Sequence, residues 1–415
     1  MDDISRVLKV AYDQTEFYRN KFDSAGIRPE DIRTWSDFRH VPTTDKEEII
    51  SAGSAAIVRG GRDSAFVSRS SGSSGTVLDV HQGGDFWIKD GVIGVRAYRR
   101  HVGLRAADRL LYVNTSQYPF RSVGKLLYRV NYYPNLQHAS SLSNWISTHR
   151  PQVLMIYPSI ADDLIRHVTA KGWKSGAPFR LKAIITHSEQ SAQEFRNKLA
   201  SFFCCPVYDE YATEELGRIA LHCRFQTRHI IEEQTYVELL EPDSDTEVPA
   251  GTQGEIVGTC LVNTTMPFIR YRQGDLGSMI HTACECGITG RAFDDLLGRR
   301  NCDFHLPDGS VVASGRLLDW TYELILSRKL DIRHFQLVQH SHQQAEFRIV
   351  PGPQYLLGRD CEVIRSSFTQ ILTPHMSLHV TPVPEIERTQ AGKHIAIRSA
   401  VAMRSRTADH TRIGA

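Results

Sequence analysis

Between Val153 and Asp209 the chain alternates strand-like and helix-like segments at short intervals, and this constrains the fold more than any other feature. Val153–Tyr157 is an unbroken apolar run of strand length, and Ile160–Ala170 has helical spacing. Ala183–Thr186 reads as the next strand, Ala192–Phe203 as the next helix and Pro206–Tyr208 as a third short strand. Strands buried on both faces are apolar throughout, and strand–helix–strand repetition builds a parallel sheet covered by helices. Cys204-Cys205, ending the second helix, predict core positions.

The pattern changes on either side of this unit. Ile4–Phe22 predicts one amphipathic helix. Thr44-Asp45-Lys46-Glu47 predicts a helix start, the Thr hydroxyl and the Glu three residues on satisfying free amides. After residue 234 come strands without helices, Tyr236–Leu240, Glu255–Cys260 and Pro267–Tyr271, which predict an antiparallel subdomain packed on the first. Past Gly298, strands at Phe335–Val338, Glu346–Val350 and Leu378–Thr381 with a helix at Cys361–Leu372 predict a small α+β domain. The expected fold is therefore α/β. A large N-terminal region, 1–298, holds a mainly parallel sheet flanked by helices plus the antiparallel subdomain. A small mobile C-terminal α+β domain, 299–403, follows, and 404–415 is polar, aperiodic and expected to fray. The 415 residues suffice for such cores.

A net charge of +2 demands neither nucleic acid nor an anionic membrane as partner. The opening Met1-Asp2-Asp3-Ile4 lacks the basic-then-apolar pattern of a signal peptide, and no apolar run approaches a membrane span. Eight cysteines are too sparse for a disulfide scaffold. A reduced, cytoplasmic setting is expected, with clustered cysteines read first as metal ligands or chemistry.

Five segments carry the chemistry. Ser70-Ser71-Gly72-Ser73-Ser74-Gly75-Thr76 follows a strand-like run, and such residues let amides and hydroxyls wrap an anion. An ordinary Ser/Gly surface loop has the same composition, and a Walker A loop is excluded by spacing and the missing lysine. Tyr211-Ala212-Thr213-Glu214 lies just past the third strand, where parallel sheets usually bind ligands. Met266–Asp275 ends on an acidic residue in a tight turn. Gly298-Arg299-Arg300 marks the composition shift, and Gly392-Lys393 places one lysine after a glycine near the C-terminus. Each alone reads as a turn or solvated charge; together, in one order, they do not.

In that order the segments resemble the adenylate-forming superfamily of acyl-CoA synthetases, adenylation domains and luciferases. The likeness is greatest to the phenylacetate–CoA ligase group and its capsule-biosynthesis-type relatives. Phe17-Tyr18 through Gly26, and Pro29 to Pro42-Thr43-Thr44, are similar to that group's N-terminus. The resemblance implies ATP and Mg²⁺: Ser70, Ser71, Gly72, Ser73, Ser74 and Gly75 around the phosphates, Tyr211 on adenine, Thr213 near the reacting phosphate, and Glu214 on Mg²⁺. It further implies Asp275 on the ribose hydroxyls, Arg299 on ribose or phosphate, and Lys393 on the carboxylate and α-phosphate during adenylation. Thr186-His187-Ser188-Glu189 resembles the turn beside adenine and the acyl group. Three departures stand out: Thr76 where many relatives have lysine, Ala212 where glycine is usual, and Arg300-Asn301-Cys302-Asp303 where an acidic hinge pair is common.

Cys223, His229, Cys284 and Cys286 make a Cys₃His set, although the spacing alone fits scattered thiols equally. The resemblance extends to this set and implies a structural Zn²⁺ that pins a loop near the active site. Tyr118, Phe120 and Tyr132 fit either an aromatic acyl pocket or core packing. The expected reaction forms an acyl-adenylate from an aromatic acid and transfers the acyl group to CoA. An amine or a carrier-protein thiol is the alternative acceptor, and a non-catalytic nucleotide-binding relative the alternative class. A dimer is compatible with the sequence.

Overall fold

The structure, a computed structural model, describes residues 1–59, 66–70, 77–114, 139–175, 179–372, 376–389 and 392–401. The chain opens with α1 (Asp2–Gln14) and α2 (Glu16–Ser24). The single helix expected over Ile4–Phe22 is divided at Thr15, whose backbone is extended (φ −131°, ψ 138°). Its hydroxyl donates to Ala11 O at 2.7 Å and accepts from Tyr18 N at 3.3 Å. A hydroxyl that competes for backbone groups stops one helix and caps the next.

After α3 (Trp35–Phe38) comes α4 (Lys46–Ala52), with its start one residue beyond the expected one. Asp45 is the cap and Glu48 completes the box, through Glu48 N→Asp45 Oδ1 at 2.8 Å and Asp45 N→Glu48 Oε2 at 3.1 Å. Thr44 cannot serve because it is held in a parallel bridge: its amide donates to Arg270 O and its carbonyl accepts from Arg272 N.

Next come α5 (Ser54–Ile57), the antiparallel hairpin β1 (Phe66–Arg69) and β2 (Asp79–Gln82), and α6 (Gly84–His101). The regular alternation follows as β3 (Leu110–Tyr112), α7 (Ala139–His149), β4 (Val153–Ile156), α8 (Pro158–Ala170), β5 (Ala183–Thr186), α9 (Gln193–Phe203) and β6 (Val207–Thr213). Strands β3 to β6 pair in parallel. At the end of α9 only Cys205 is buried; Cys204 is exposed in a left-handed conformation (φ 52°), where it terminates the helix.

The antiparallel strands are β7 (Gly217–His222), β8 (Arg228–Ile230), β9 (Thr235–Leu240), β10 (Gly254–Cys260), β11 (Tyr271–Ala283) and β12 (Thr289–Arg299). They continue the same sheet through β6–β7, giving ten strands in the order β3-β4-β5-β6-β7-β8-β12-β11-β10-β9. Pro267–Ile269, expected within a strand, is irregular. Arg270 adopts φ 44°, which breaks the extended run, and its buried guanidinium bonds Glu238 Oε2 at 3.1 Å and Arg39 O at 2.7 Å.

The C-terminal part comprises β13 (Phe304–His305), β14 (Val311–Val312), α10 (Ser314–Ser327), β15 (Ile332–Ser341), β16 (Gln344–Pro351), α11 (Leu357–Ile371), β17 (Ser377–Pro382) and β18 (Ile397–Ser399). Its four-stranded sheet has the order β17-β16-β15-β18. Residues of the parallel strands alternate between two cores. Tyr112, Met155, Ile185 and Tyr208 pack with α1, α2 and α6, whereas Leu111, Leu154, Ile184 and Val207 pack with α7 to α9. The second core runs on into Leu317, Phe335, Phe347 and Phe368, so the C-terminal part is seated on the α8–α9 face. Among the described residues no helix is long and apolar enough to cross a membrane. The segment 404–415 lies outside the described residues.

Candidate active site

A cavity of about 1390 Å³ opens at the carboxyl ends of β5 and β6. That end of a parallel sheet is where strand-following loops converge and ligands bind. Ser70, Ser188, Glu189, Tyr211, Thr213, Glu214, Asp275, Arg299 and Lys393 all line it.

Ser70 closes the β1–β2 hairpin: its amide donates to Leu78 O and its hydroxyl accepts from Leu78 N, each at 2.9 Å. Lys46 Nζ, from the first turn of α4, donates to the same hydroxyl at 3.1 Å. Ser71, Gly72, Ser73, Ser74, Gly75 and Thr76 lie outside the described residues. Tyr118, Phe120 and Tyr132 lie outside them as well.

Asp275 and Arg299 face each other as register partners on β11 and β12, and Arg299 Nε meets Asp275 Oδ1 at 3.3 Å. Two strands of one hairpin thus position both side chains, and cross-strand opposition keeps them together. Tyr211, on β6, donates from its hydroxyl to Asp275 Oδ2 at 2.7 Å and accepts from Gln273 Nε2 at 2.7 Å. Burial would lower the Arg299 pKa, yet Asp275 and then Glu215 outweigh it and raise it, so the guanidinium stays charged. Thr213 accepts from Leu216 N at 3.1 Å, which forms the turn between β6 and β7.

That turn carries a residue the sequence reading passed over. Glu215 is 8% exposed, lines the cavity, and accepts from Tyr271 OH at 3.5 Å. Its charge is felt at Lys46, Arg299 and Lys393. The Glu214-Glu215 doublet was the available signal, but a doublet does not reveal that both carboxylates line the cavity, Glu215 the more buried of the two. Lys46 was also missed, and nothing local marks it, since its contact to Ser70 is made across the fold.

Lys393 follows Gly392 (φ 74°) in a turn closed by Thr389 N→Lys393 O at 2.9 Å and Lys393 N→Thr389 Oγ1 at 3.1 Å. Burial pushes its ammonium below the usual lysine range, while Glu214 opposes that shift.

The Thr186–Glu189 segment divides its roles. Thr186 Oγ1 donates to Asp209 Oδ1 at 2.6 Å. His187 stands behind the cavity wall: its ring packs on Tyr112 and Tyr157, and its nitrogens contact Val113 O and Ser188 Oγ. Ser188 adopts φ 66°, an uncommon conformation outside glycine, which turns the chain into the cavity. Glu189, expected beside the acyl group, spends its carboxylate on Ser159 N (2.9 Å), Ser159 Oγ (3.0 Å) and His394 N (2.7 Å).

The ligand atoms of Cys223, His229, Cys284 and Cys286 lie within 4.8 Å of one another. Cys223 Sγ and Cys284 Sγ are 3.7 Å apart, and Cys286 Sγ is 3.3 Å from His229 Nε2. A tetrahedron with zinc–sulfur bonds of about 2.3 Å has edges of about 3.8 Å, so the four residues fit that ion. Amides of Phe225 and Ile288 donate to two of the sulfurs, as thiolates require. The cluster ties the tip of the β11–β12 hairpin to β7 and β8. It is not beside the Asp275 end of the cavity, where the sequence reading expected it: Ala283 is roughly 25 Å along the strand from Asp275.

The fold is that of solved CoA ligases. No family model matches the chain. In sequence the chain is similar to phenylacetate–coenzyme A ligases. It is 25% identical to that of Escherichia coli K12 over 316 residues, covering 70% of this chain and 68% of that one. It is 24% identical to that of Thermus thermophilus, covering 71% and 68%. Among solved structures, 2-hydroxyisobutyryl-CoA ligase in the postadenylation state with 2-HIB-AMP matches with a TM-score of 0.81 at 18% identity, covering 99% of this chain and 91% of that one. The same ligase with CoA in the thioesterification state gives 0.66, over the same coverage. Anthranilate CoA ligase with anthranoyl-AMP gives 0.62 at 15% identity, covering 84% and 67%.

Proposed function

We propose that this chain joins a carboxylic acid to ATP as an acyl-adenylate and passes the acyl group to CoA. One observation carries the reading: a single cavity receives Tyr211 from β6, Glu215 from the turn after it, Asp275 and Arg299 from one hairpin, and Lys393 from the C-terminal part. The likeness to phenylacetate–CoA ligases, and to solved anthranilate and benzoate CoA ligases, favours an aromatic acid.

In the first step a carboxylate oxygen attacks the α-phosphorus and the bond to the bridging oxygen breaks, releasing pyrophosphate. Asp275 would accept from the ribose hydroxyls, Tyr211 would cover adenine, and the ammonium of Lys393 would meet the charge developing on the carboxylate and α-phosphate oxygens. Donors fixed in a partly dry cavity act more strongly there than in water. Glu215, with Glu214 beside it, offers the oxygen ligands a hard dication takes. Mg²⁺ bound there supplies charge neutralisation on the phosphates. In the second step the CoA sulfur attacks the acyl carbon and AMP leaves. Positioning and charge screening suffice for both steps, so no covalent protein intermediate is required.

The arrangement with Lys393 in the cavity corresponds to the first step, in keeping with the greater likeness to a postadenylation state than to a thioesterification state. The division into 1–298 and 299–403 belongs to this reading, as do a cytoplasmic location and a structural zinc on Cys223, His229, Cys284 and Cys286. The test is pyrophosphate release across phenylacetate, benzoate, anthranilate and 2-hydroxyisobutyrate, with and without CoA. Thioester product with one of them is expected. Release without thioester, product instead forming with an amine or carrier thiol, moves the acceptor; no release with any acid removes the ligase reading.

A further inference from the structure

The carboxylate of Glu189 and the guanidinium of Arg388 meet between the N-terminal region and the segment that carries Lys393. Their side chains are 5% and 12% exposed, and Arg388 Nη1 lies 3.7 Å from Glu189 Oε1. Arg388 Nη1 also donates to Ser159 Oγ at 2.8 Å and to Gly392 O at 3.3 Å, while Nη2 lies 3.8 Å from Asp163 Oδ2. From the other side, Glu189 accepts from the backbone amide of Ser159, in the first turn of α8, and from that of His394. A carboxylate is favoured at a helix N-terminus, so Glu189 is anchored on the N-terminal region. It also accepts from Ser159 Oγ at 3.0 Å, and its other partners, His394 N and Arg388, lie on either side of Lys393.

Arg388 and His394 bracket the lysine, and the turn between them is closed by the Thr389–Lys393 hydrogen bonds. Fixing both ends of a short closed turn fixes where its side chain points. We propose that Glu189 and Arg388 are positioning residues, a latch that holds Lys393 at the reacting phosphate during adenylation and is open when the thioester forms. This rests on the ligase reading above. On this proposal the pair governs the first half-reaction alone, because these contacts would be lost once Lys393 leaves the cavity.

The test uses full-length Arg388→Gln and Glu189→Gln proteins and their double variant. Hydrogen–deuterium exchange over 388–394 should rise in Arg388→Gln while the sheet over 332–351 stays as protected as in the parent. ATP–pyrophosphate exchange, with whichever panel acid the parent accepts, should fall about ten- to a hundredfold, the scale of a misplaced catalytic group. Thioester formation from chemically made acyl-adenylate and CoA should hold at the parent's rate in Arg388→Gln, and Arg388→Lys should restore part of the lost exchange activity. The double variant should be little worse than either single one, since each breaks the same contact. Equal losses in both half-reactions, multiplying losses in the double variant, or unchanged hydrogen exchange at 388–394 overturn the latch. A parent with no pyrophosphate exchange on any acid removes the ligase reading instead, and hydrogen exchange then decides the latch alone.

Discussion

The hydroxyl of Tyr211 donates a 2.7 Å hydrogen bond to Asp275 Oδ2, while Arg299 holds the other oxygen of the same carboxylate. Burial, and then the Asp275 charge, push the Tyr211 pKa well above its ordinary value, so the phenol remains a neutral donor at any working pH. Tyr211→Phe keeps the ring and removes that donor. The KM for ATP should rise about fivefold, the effect of one ordinary hydrogen bond, with little change in kcat. An unchanged KM would mean Arg299 alone orients Asp275.

Lys393→Ala should lower adenylation by about 10²–10³, the usual cost of losing one charge contact made in the transition state. ATP affinity and melting temperature should stay near the parent's. Parent-like pyrophosphate release from this protein would exclude Lys393 from the chemistry.

The carboxylate doublet separates by burial. Glu215→Gln should lower Mg²⁺-dependent turnover about a hundredfold, because an amide is a poor ligand for a hard dication. Glu214→Gln, whose side chain is less enclosed, should lose less. Titrating Mg²⁺ against rate in both proteins ranks the two, and a reversed order would return the metal to Glu214.

Purified protein should carry about one zinc per chain by elemental analysis. Cys284→Ala or Cys223→Ala should lose the metal and several degrees of thermal stability, since metal binding contributes folding free energy. Because the cluster sits at the far tip of the hairpin that bears Asp275 and Arg299, activity at low temperature should change less than stability. Metal-free protein with parent-like melting would leave four ordinary side chains.

Asp303 accepts from Ser314 N at 2.8 Å, at the start of α10, and burial pushes its carboxyl up to about 6 from 3.8. Between those values the folded chain holds a proton that the unfolded chain has released. Stability from this group therefore falls as pH rises through the window and is lowest above about 6. Asp303→Asn keeps an acceptor for Ser314 and removes the penalty. It should stabilise the protein by about 1–3 kcal/mol at pH 7.5 and far less near pH 4, read from denaturant unfolding. An equal gain at both values would assign the effect to packing.

The alternation from Val153 to Asp209 determined the parallel sheet by itself, because each strand is apolar throughout and each helix carries its own period. Tyr211, Asp275, Arg299 and Lys393 were likewise legible as candidates because they sit in short local patterns, and the structure brings all four to one cavity. Local competition was harder to read. Thr15 divides a helix through its hydroxyl, and Thr44 surrenders a cap to Asp45 because Arg270 and Arg272 claim its backbone from across the chain. Only the tertiary structure decided that β7 joins β6 in one sheet, that Glu215 and not only Glu214 faces the cations, and that Glu189 bonds the lysine turn. It also placed Cys223, His229, Cys284 and Cys286 together at a hairpin tip. Apart from the β6–β7 pairing, which is made across a short turn, the deciding partner lies tens to hundreds of residues away, and sequence periodicity carries no information about which distant group a side chain will meet.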